Sequence, residues 1–291
     1  MRLARPLDPT PRRARAHRRV VQISAAVLAL ALAPAAAVAY PGGTPDYQTD
    51  VAPFCAGCHA SRSEGALAGA PPERAAKETA ANKHLALVRT GAKVQGGPGY
   101  DGLSEADRAL LAKQIEALDA ASTVKLEVPA RVKAGETFTV KVTVTGGSGP
   151  VVGVGLTDTD QRWWARPAAS AGWEVTAPPQ IAGADGKPQT EWLAKRPEQA
   201  GRNVSWVNAA TASDAAAGKW GGATVTWTLR APATPGRRPL AAVYLYGTEK
   251  ATPLGYVVDP KDPLQRKSIR GGFTGGSGRV LFSNVAQVDV Q

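Results

Sequence analysis

The spacing of hydrophobic positions changes once along the chain, near residue 122. Ahead of this point, apolar residues recur at three- and four-residue intervals behind Ser104, and residues 104–107 match a capping box. Beyond it, residues 136–144 alternate between polar and apolar with a period of two. The pattern therefore predicts helices before residue 122 and strands after it, in two domains at residues 40–121 and 122–291.

The helical part contains two more predicted helices. Residues 73–88 hold many alanines and few helix breakers, which predicts a helix that ends near Gly91. A short first helix is predicted around Val51 and Phe54, and the Gly/Pro-rich residues 96–99 predict a loop before the last helix.

The β part contains six segments that predict strands, namely residues 123–128, 136–144, 151–156, 222–230, 240–246 and 280–290. Residues 165–219 are irregular and predict loops with short strands. These strands are enough for an all-β sandwich of two sheets. Its tryptophans at 163, 164, 173, 192 and 206 either fill the core or form a surface that binds a sugar or a partner.

The first 39 residues predict a cleavable signal peptide. Seven arginines precede or flank an apolar run at residues 20–33, and Ala37-Val38-Ala39 forms a small-x-small cleavage site after Ala39. A single-span membrane anchor is the alternative reading of the same run. Cleavage predicts a protein in the periplasm, outside the cell or at the cell surface.

Export changes the meaning of the net charge. The leader contributes +6 of the total of +11, so the remaining chain carries +5, which predicts no nucleic-acid partner. That charge is uneven, with −2 on residues 40–121 and +7 on residues 122–291. Such asymmetry either steers different partners to the two parts or is an unplanned feature of a solvated surface.

The clearest chemical motif is Cys55-Ala56-Gly57-Cys58-His59, the C-x-x-C-H pattern that attaches a c-type haem. Two thiols on one helical turn can each form a thioether with the same porphyrin, and the following histidine supplies an axial imidazole. Cys55 and Cys58 are the only cysteines of the sequence, and the signal peptide provides a suitable compartment. The motif predicts one covalent haem c, with His59 as the proximal iron ligand.

The sixth iron ligand stays open among several groups. The only methionine is Met1, in the leader, so methionine is excluded in the cleaved protein. His84 is the one histidine outside both leader and motif, which makes it a candidate distal axial ligand. The alternatives are a five-coordinate or water-bound iron, ligation by Lys83, Lys93 or Tyr100, and a His84 that simply faces solvent.

Two stretches carry a family resemblance. Asp50-Val51-Ala52-Pro53, the motif at residues 55–59 and the helix start at residues 103–108 together resemble a small monohaem cytochrome c domain. Residues 129–140 and 225–246 are similar to bacterial Ig-like and Reeler-like domains. The resemblance implies a multidomain protein, with an all-α cytochrome c-like domain at residues 40–121 and an all-β Ig-like sandwich at residues 122–291.

The β part lacks the residues of most enzyme and metal sites. Residues 122–291 contain no Cys, His or Met, which excludes a second haem ligated by these residues, the usual copper, iron and zinc sites, and Ser-His-Asp or Cys-His catalysis. Asp158 and Asp160 are either calcium ligands or solvated carboxylates.

These observations predict an exported carrier of single electrons rather than an enzyme. Its β domain docks it to a redox partner protein, or to a partner at the cell surface or membrane. One alternative is a haem enzyme or sensor with an open distal site for peroxide, nitric oxide or carbon monoxide. Another is a surface adhesion or assembly protein with an accessory haem.

Overall fold

The computed structural model describes residues 60–61, 81–92, 100–149, 151–160, 165–190, 205–211, 213–249, 256–258, 267–269 and 278–291. All of them belong to one compact unit, Val38–Gln291. The predicted signal peptide, the first helix and the motif at residues 55–59 lie outside the described residues. The division into domains at residues 40–121 and 122–291 stays a prediction.

Two α-helices lie in this part of the chain, α1 (Ala81–Thr90) and α2 (Glu105–Ala121). Ser104 caps α2, because its hydroxyl oxygen accepts the backbone N–H of Asp107 at 3.1 Å, as the capping box predicts. Helix α1 ends at Gly91, whose φ of 71° is a left-handed conformation that glycine adopts without a steric penalty.

The two helices share a small apolar cluster formed by Val88, Tyr100, Ala112 and Ile115. Helix α2 then passes into the first long strand through Ser122, whose hydroxyl donates to the carbonyl of Leu118 at 2.8 Å.

The chain approaches Ser122 closely at this joint. Gly146 has a φ of 88°, and a Cβ added there would lie 2.2 Å from the Ser122 hydroxyl oxygen. The junction of helix and sheet therefore requires glycine at position 146.

The described strands are thirteen in number. They are β1 (Ala60–Ser61), β2 (Thr123–Glu127), β3 (Arg131–Val132), β4 (Thr137–Thr145), β5 (Val151–Thr157), β6 (Glu174–Gly183), β7 (Trp206–Ala210), β8 (Gly222–Arg230), β9 (Gly236–Gly247), β10 (Tyr256–Val258), β11 (Lys267–Ile269), β12 (Gly278–Phe282) and β13 (Ala286–Val290).

Eleven of these strands form two sheets, and β10 and β11 pair as a separate antiparallel ribbon. One sheet is antiparallel in the order β2-β4-β8-β6. The seven-stranded sheet is built on β9, a strand of 12 residues. Strand β5 pairs with one edge of β9, and β7 pairs with the other edge of β5. Along the opposite edge of β9, β13 pairs with the first half of the strand and β12 with the second half. Strands β1 and β3 add parallel pairings to β12 and β13.

The hydrophobic core lies between the two sheets. Alternate residues of β4 and β8 are buried, among them Val142 and Trp227, and they join Val154 and Tyr244 from the seven-stranded sheet in one cluster. A second, smaller cluster contains Leu245 on β9, Val280 on β12 and three further residues. The all-β part of the predicted fold class is thus confirmed.

The predicted all-α cytochrome c-like domain is wrong for this part of the chain. The described residues are 47% strand and contain two helices, with no all-α domain among them. A helix with a capping box and a loop rich in glycine occur in many folds, which is why these features alone did not define a cytochrome.

Strand β6 lies within residues 165–219, for which the sequence predicted loops with short strands. Pro178 and Pro179 interrupt it, and its pairing with β8 shifts register between Val175 and Gln180. Proline cannot donate a ladder hydrogen bond, so it weakens the pattern expected of a strand. Strand β6 tolerates these residues because it is the edge of its sheet.

Candidate functional site

The two residues that follow the haem motif in sequence belong to the seven-stranded sheet. Cys55, Cys58 and His59 lie outside the described residues, but β1 begins at Ala60, directly after His59. In the parallel pairing of β1 with β12, Ala60 lies opposite Arg279. Because neighbouring strands are about 4.8 Å apart, Ala60 lies beside Arg279.

Arg279 belongs to a buried group of hydrogen-bonded side chains, here called the polar cluster. Its members are His84 on α1, Tyr100 in the segment before α2, Asp119 on α2, Tyr246 at the end of β9, Glu249 just beyond β9, and Arg279 on β12. None is more than 8% exposed. The cluster therefore joins both helices to the seven-stranded sheet through buried side chains.

His84 has polar partners at both ring nitrogens. Its Nε2 lies 2.8 Å from the Tyr100 hydroxyl and 3.1 Å from Oε1 of Glu249. Its Nδ1 lies 3.0 Å from Nη2 of Arg279. The Tyr100 hydroxyl also donates to Oε1 of Glu249, at 2.6 Å. An imidazole, a phenol, a carboxylate and a guanidinium thus meet around one ring.

These contacts define where the protons lie. A guanidinium only donates hydrogen bonds, so Nδ1 of His84 must accept the bond from Arg279. The proton of a neutral imidazole is then on Nε2, which donates toward Tyr100 and Glu249. Tyr100 accepts from His84 and donates to Glu249. The geometry therefore assigns His84 as a neutral ring with Nε2 protonated.

Arg279 also anchors the other half of the cluster. Its Nε donates to Oδ2 of Asp119 at 3.1 Å, and the Tyr246 hydroxyl donates to Oδ1 of the same carboxylate at 2.9 Å. The strand register places Arg279 directly opposite Tyr246. A buried guanidinium is stable only when it is paired and hydrogen-bonded, and Asp119 supplies that pairing.

Burial governs the ionisation of the two stacked tyrosines of β9. Tyr244 and Tyr246 have ring centroids 5.0 Å apart. Burial raises the pKa of Tyr246 strongly, and the charge of Asp119 raises it further. Burial likewise raises the pKa of Tyr244, with a smaller contribution from Tyr246. Both phenols therefore remain neutral hydrogen-bond donors over the ordinary pH range.

The secondary structure explains how the cluster assembles. His84 and Val88 are both buried and lie one turn apart on α1, so they share the face directed toward the interior. Ile115 and Asp119 have the same relation on α2. One helical face thus carries an apolar residue against the other helix and a polar residue for the cluster.

The predicted site residues meet different outcomes. The motif residues Cys55, Cys58 and His59 lie outside the described residues, as does Lys93. The prediction of a solvent-facing His84 is wrong, because His84 is 1% exposed. Iron ligation by His84 stays a prediction, although both of its nitrogens contact other groups. Tyr100, a second proposed ligand, is buried and bound to Glu249.

Sequence reasoning missed Asp119, Glu249 and Arg279. A signal was present for each of them. Arg279 is the one charged residue of an apolar strand, Glu249 follows the apolar end of β9, and Asp119 lies on the apolar face of α2. A charge at a position that the pattern assigns to the interior requires a buried partner.

The described tryptophans named above belong to the interior rather than to a binding surface. Trp173 and Trp206 are 1% and 2% exposed. The Trp173 indole donates to the carbonyl of Pro239 at 2.9 Å and packs edge-to-face on Phe138. The core interpretation is confirmed for these two residues. Trp163, Trp164 and Trp192 lie outside the described residues.

Asp158 accepts a backbone hydrogen bond from Arg166 at 2.7 Å. Within the ranges that the structure describes, no three His, Cys, Asp or Glu side chains are grouped to hold a metal ion. Neither described helix is long and apolar enough to cross a membrane.

No protein-family model matches the chain, and no curated protein matches it. The resemblance to a cytochrome c domain followed by an Ig-like or Reeler-like domain is wrong as a family assignment, because the described residues contain no all-α domain and no family model matches.

Proposed function

We propose that this is an exported protein that binds one haem c covalently and transfers single electrons. The motif at residues 55–59 carries the proposal. Cys55 and Cys58 form the two thioethers, and His59 is the proximal ligand of the iron. The bound haem supplies a one-electron couple, and the protein supplies attachment, orientation and docking.

Two features of the sequence support the attachment. The chain uses cysteine at no other position, so neither thiol has a disulfide partner outside the motif. The arginine-rich leader and its cleavage site favour export to the compartment in which disulfides and haem thioethers form. Localisation in the periplasm or at the cell surface is part of the same proposal.

The residue that follows the motif begins a strand of the seven-stranded sheet, which supports this proposal. Strand β1 follows His59 directly and pairs with β12, which in turn pairs with the central strand β9. A site held by a strand of a packed sheet is positioned more precisely than one held by a free loop. The basic residues 122–291 give this sheet-rich part a charge suited to an acidic redox partner protein.

A covalent haem is tested on the full chain expressed in an oxidising compartment with a haem-attachment system. We expect haem staining that survives a denaturing gel, and a mass increase of one haem on the cleaved chain. Cys55→Ser with Cys58→Ser should abolish both signals, while Thr139→Ala, on an exposed strand position, should leave them unchanged. Staining that persists in the double variant would overturn the proposal.

Electron transfer requires a separate measurement. The purified haem protein should be reduced and reoxidised reversibly in a potentiometric titration that follows one electron. It should also exchange electrons with a small acidic redox protein at a rate that falls as salt rises. A rate independent of ionic strength would contradict charge-guided docking and leave the covalent haem untouched.

A second function is favoured by the contacts of His84. If neither His84 nor Tyr100 reaches the iron, the sixth position accepts exogenous molecules such as carbon monoxide, nitric oxide or peroxide. Immediate binding of carbon monoxide to the reduced protein would support this second function. Failure to bind it would favour a saturated iron dedicated to electron transfer.

A further inference from the structure

The polar cluster bears on one unresolved part of the haem site, the identity of the sixth ligand. An imidazole binds iron through a nitrogen that carries a lone pair and no proton. The other nitrogen of a neutral metal-bound imidazole carries the proton and normally donates it to a carboxylate, carbonyl or water. Around His84 the order is the reverse, because Nδ1 accepts from Arg279 and Nε2 donates.

Binding of iron at Nε2 would disturb several partners at once. The proton would move to Nδ1, so an N–H would face the N–H of Arg279 across 3.0 Å. Nε2 would also leave the Tyr100 hydroxyl and the Glu249 carboxylate, both of which are buried. A buried carboxylate that loses a donor is costly.

Binding of iron at Nδ1 is opposed for a different reason. That nitrogen is occupied by Arg279, whose side chain is 0% exposed and which pairs with Asp119. A metal cation placed there would also approach a buried guanidinium of the same sign of charge. The residues that surround His84 therefore do not fit an axial-ligand role at either nitrogen.

We propose that His84 is a positioning residue, which fastens α1 to the seven-stranded sheet through Arg279 and Glu249 and does not ligate iron. Tyr100 belongs to the same fastening and is held from iron by its bond to Glu249. The claim about proton placement and fastening needs no haem. The claim about iron rests on the proposed function.

The first test measures which ring nitrogen of His84 carries the proton. Nitrogen-15 spectra of histidine-labelled cleaved protein contain two rings, His59 and His84, and a His84→Gln variant assigns them. In the haem-free variant with Cys55→Ser and Cys58→Ser, His84 should show a neutral ring protonated at Nε2. A ring protonated at Nδ1 would overturn the proposal, whether or not the native protein carries haem.

The second test separates fastening from ligation. His84→Gln should lower the Tm by about 2–12 °C in both the haem-free variant and the haem protein, because buried hydrogen bonds are lost, while the visible spectrum of the haem protein stays unchanged. Glu249→Gln should behave in the same way. Lys113→Gln, on the exposed side of α2, is the matched control and should alter neither readout.

Two results would contradict the proposal. A change to a high-spin spectrum in His84→Gln but not in Glu249→Gln would show that His84 ligates iron. An unchanged Tm of the haem-free His84→Gln variant would show that it fastens nothing. If His84→Gln does not fold, Tyr100→Phe removes one hydroxyl from the same network and should give a smaller loss of Tm with the same spectrum.

A missing haem would be recognised separately. If the native chain does not stain for haem, the proposed function fails. The Nε2 proton of His84 and the loss of Tm in its variant would still be measured on the same protein. The two claims can therefore fail independently of each other.

Discussion

The sandwich core and the polar cluster are both buried, yet they depend on different kinds of interaction. The core is built from alternate apolar residues of facing strands, such as Val142 and Leu229. The cluster contains a guanidinium, two carboxylates, an imidazole and two phenols, each with a specific hydrogen-bond partner. Dispersion and hydrophobic burial are non-directional, whereas hydrogen bonds require a donor opposite an acceptor.

This difference has a structural consequence. A core filled by volume accepts another apolar residue of similar size. A cluster of buried charges accepts only side chains that keep every donor and acceptor paired. The helices are therefore attached to the sheet in one arrangement, set by the partners of His84 and Arg279, while the sandwich itself is defined by its pattern of apolar residues.

The largest effect is expected when one partner of the buried ion pair is removed. Arg279→Met leaves the Asp119 carboxylate and Nδ1 of His84 without this donor, and should lower the free energy of unfolding by about 3–5 kcal/mol. Replacing both charges, with Arg279→Met and Asp119→Leu, should recover at least about 1 kcal/mol. Urea unfolding of the haem-free variant measures both. A double variant less stable than the single one would contradict the charge-pair argument.

Arg279→Lys sharpens the same point. A lysine keeps the positive charge but lacks the planar fork that reaches both Asp119 and His84. We expect a loss of about 2 kcal/mol despite the conserved charge. A variant as stable as the native chain would show that charge alone, without geometry, holds the cluster.

The core should respond to volume instead. Leu229→Ala, at a fully buried position of β8, should cost roughly 2–4 kcal/mol because it leaves a cavity. Leu229→Met, which conserves volume, should cost less than about 1.5 kcal/mol. Urea unfolding again measures both. Equal losses of stability in the two variants would mean that the core, like the polar cluster, depends on the specific side chain and not on its volume.

The same contrast explains how far the sequence predicts the structure. Strands β4 and β8 alternate cleanly because one face is buried while the other is exposed along most of β4 and half-buried along β8, and their predicted bounds agree closely with the observed ones. The cap at Ser104 was predictable because it is local, involving residues three positions apart. Local hydrogen bonds and hydrophobic periodicity can be predicted from a single sequence.

The polar cluster could not be predicted in this way. Arg279 and His84 are separated by 195 positions, and Tyr100 and Glu249 by 149. No local pattern encodes which distant charge neutralises another. For the same reason, the rarity of histidine in the sequence suggested that His84 binds iron, while its contacts with distant residues could not be predicted. The haem motif is the opposite case, since its five adjacent residues define the attachment chemistry without any fold.

A smaller effect is expected from the stacked tyrosines, Tyr244 and Tyr246, which both pack in the core, while Tyr246 also donates to Asp119 of the cluster. Their pKa values are raised in the folded protein, so the native state holds their protons at a pH where the unfolded chain has released them. Stability should therefore be fully present below about pH 10 and decrease above it, by at most about 1.4 kcal/mol per pH unit for each phenol.

Single variants separate the two rings. Tyr244→Phe and Tyr246→Phe should each flatten this decrease, and Tyr246→Phe should in addition cost about 1 kcal/mol at pH 7, because Asp119 loses a donor. Urea titrations between pH 7 and pH 11 provide the measurement. A slope that stays unchanged in both variants would show that neither phenol is protected from ionisation.

The smallest effect is expected for ion pairs between exposed side chains. Lys141 on β4 and Lys125 on β2 both pair with Glu127, and the hydrogen bond from Lys141 is the main cause that lowers the pKa of this carboxyl. Lys141→Met should raise that pKa toward its ordinary value, as an NMR titration of Glu127 would report. The Tm should nevertheless stay within about 1 °C of the native value, because exposed ion pairs are screened and entropically costly. A loss of Tm comparable to that of Arg279→Met would remove the distinction between buried and exposed charges, since the pairing chemistry is the same and only burial differs.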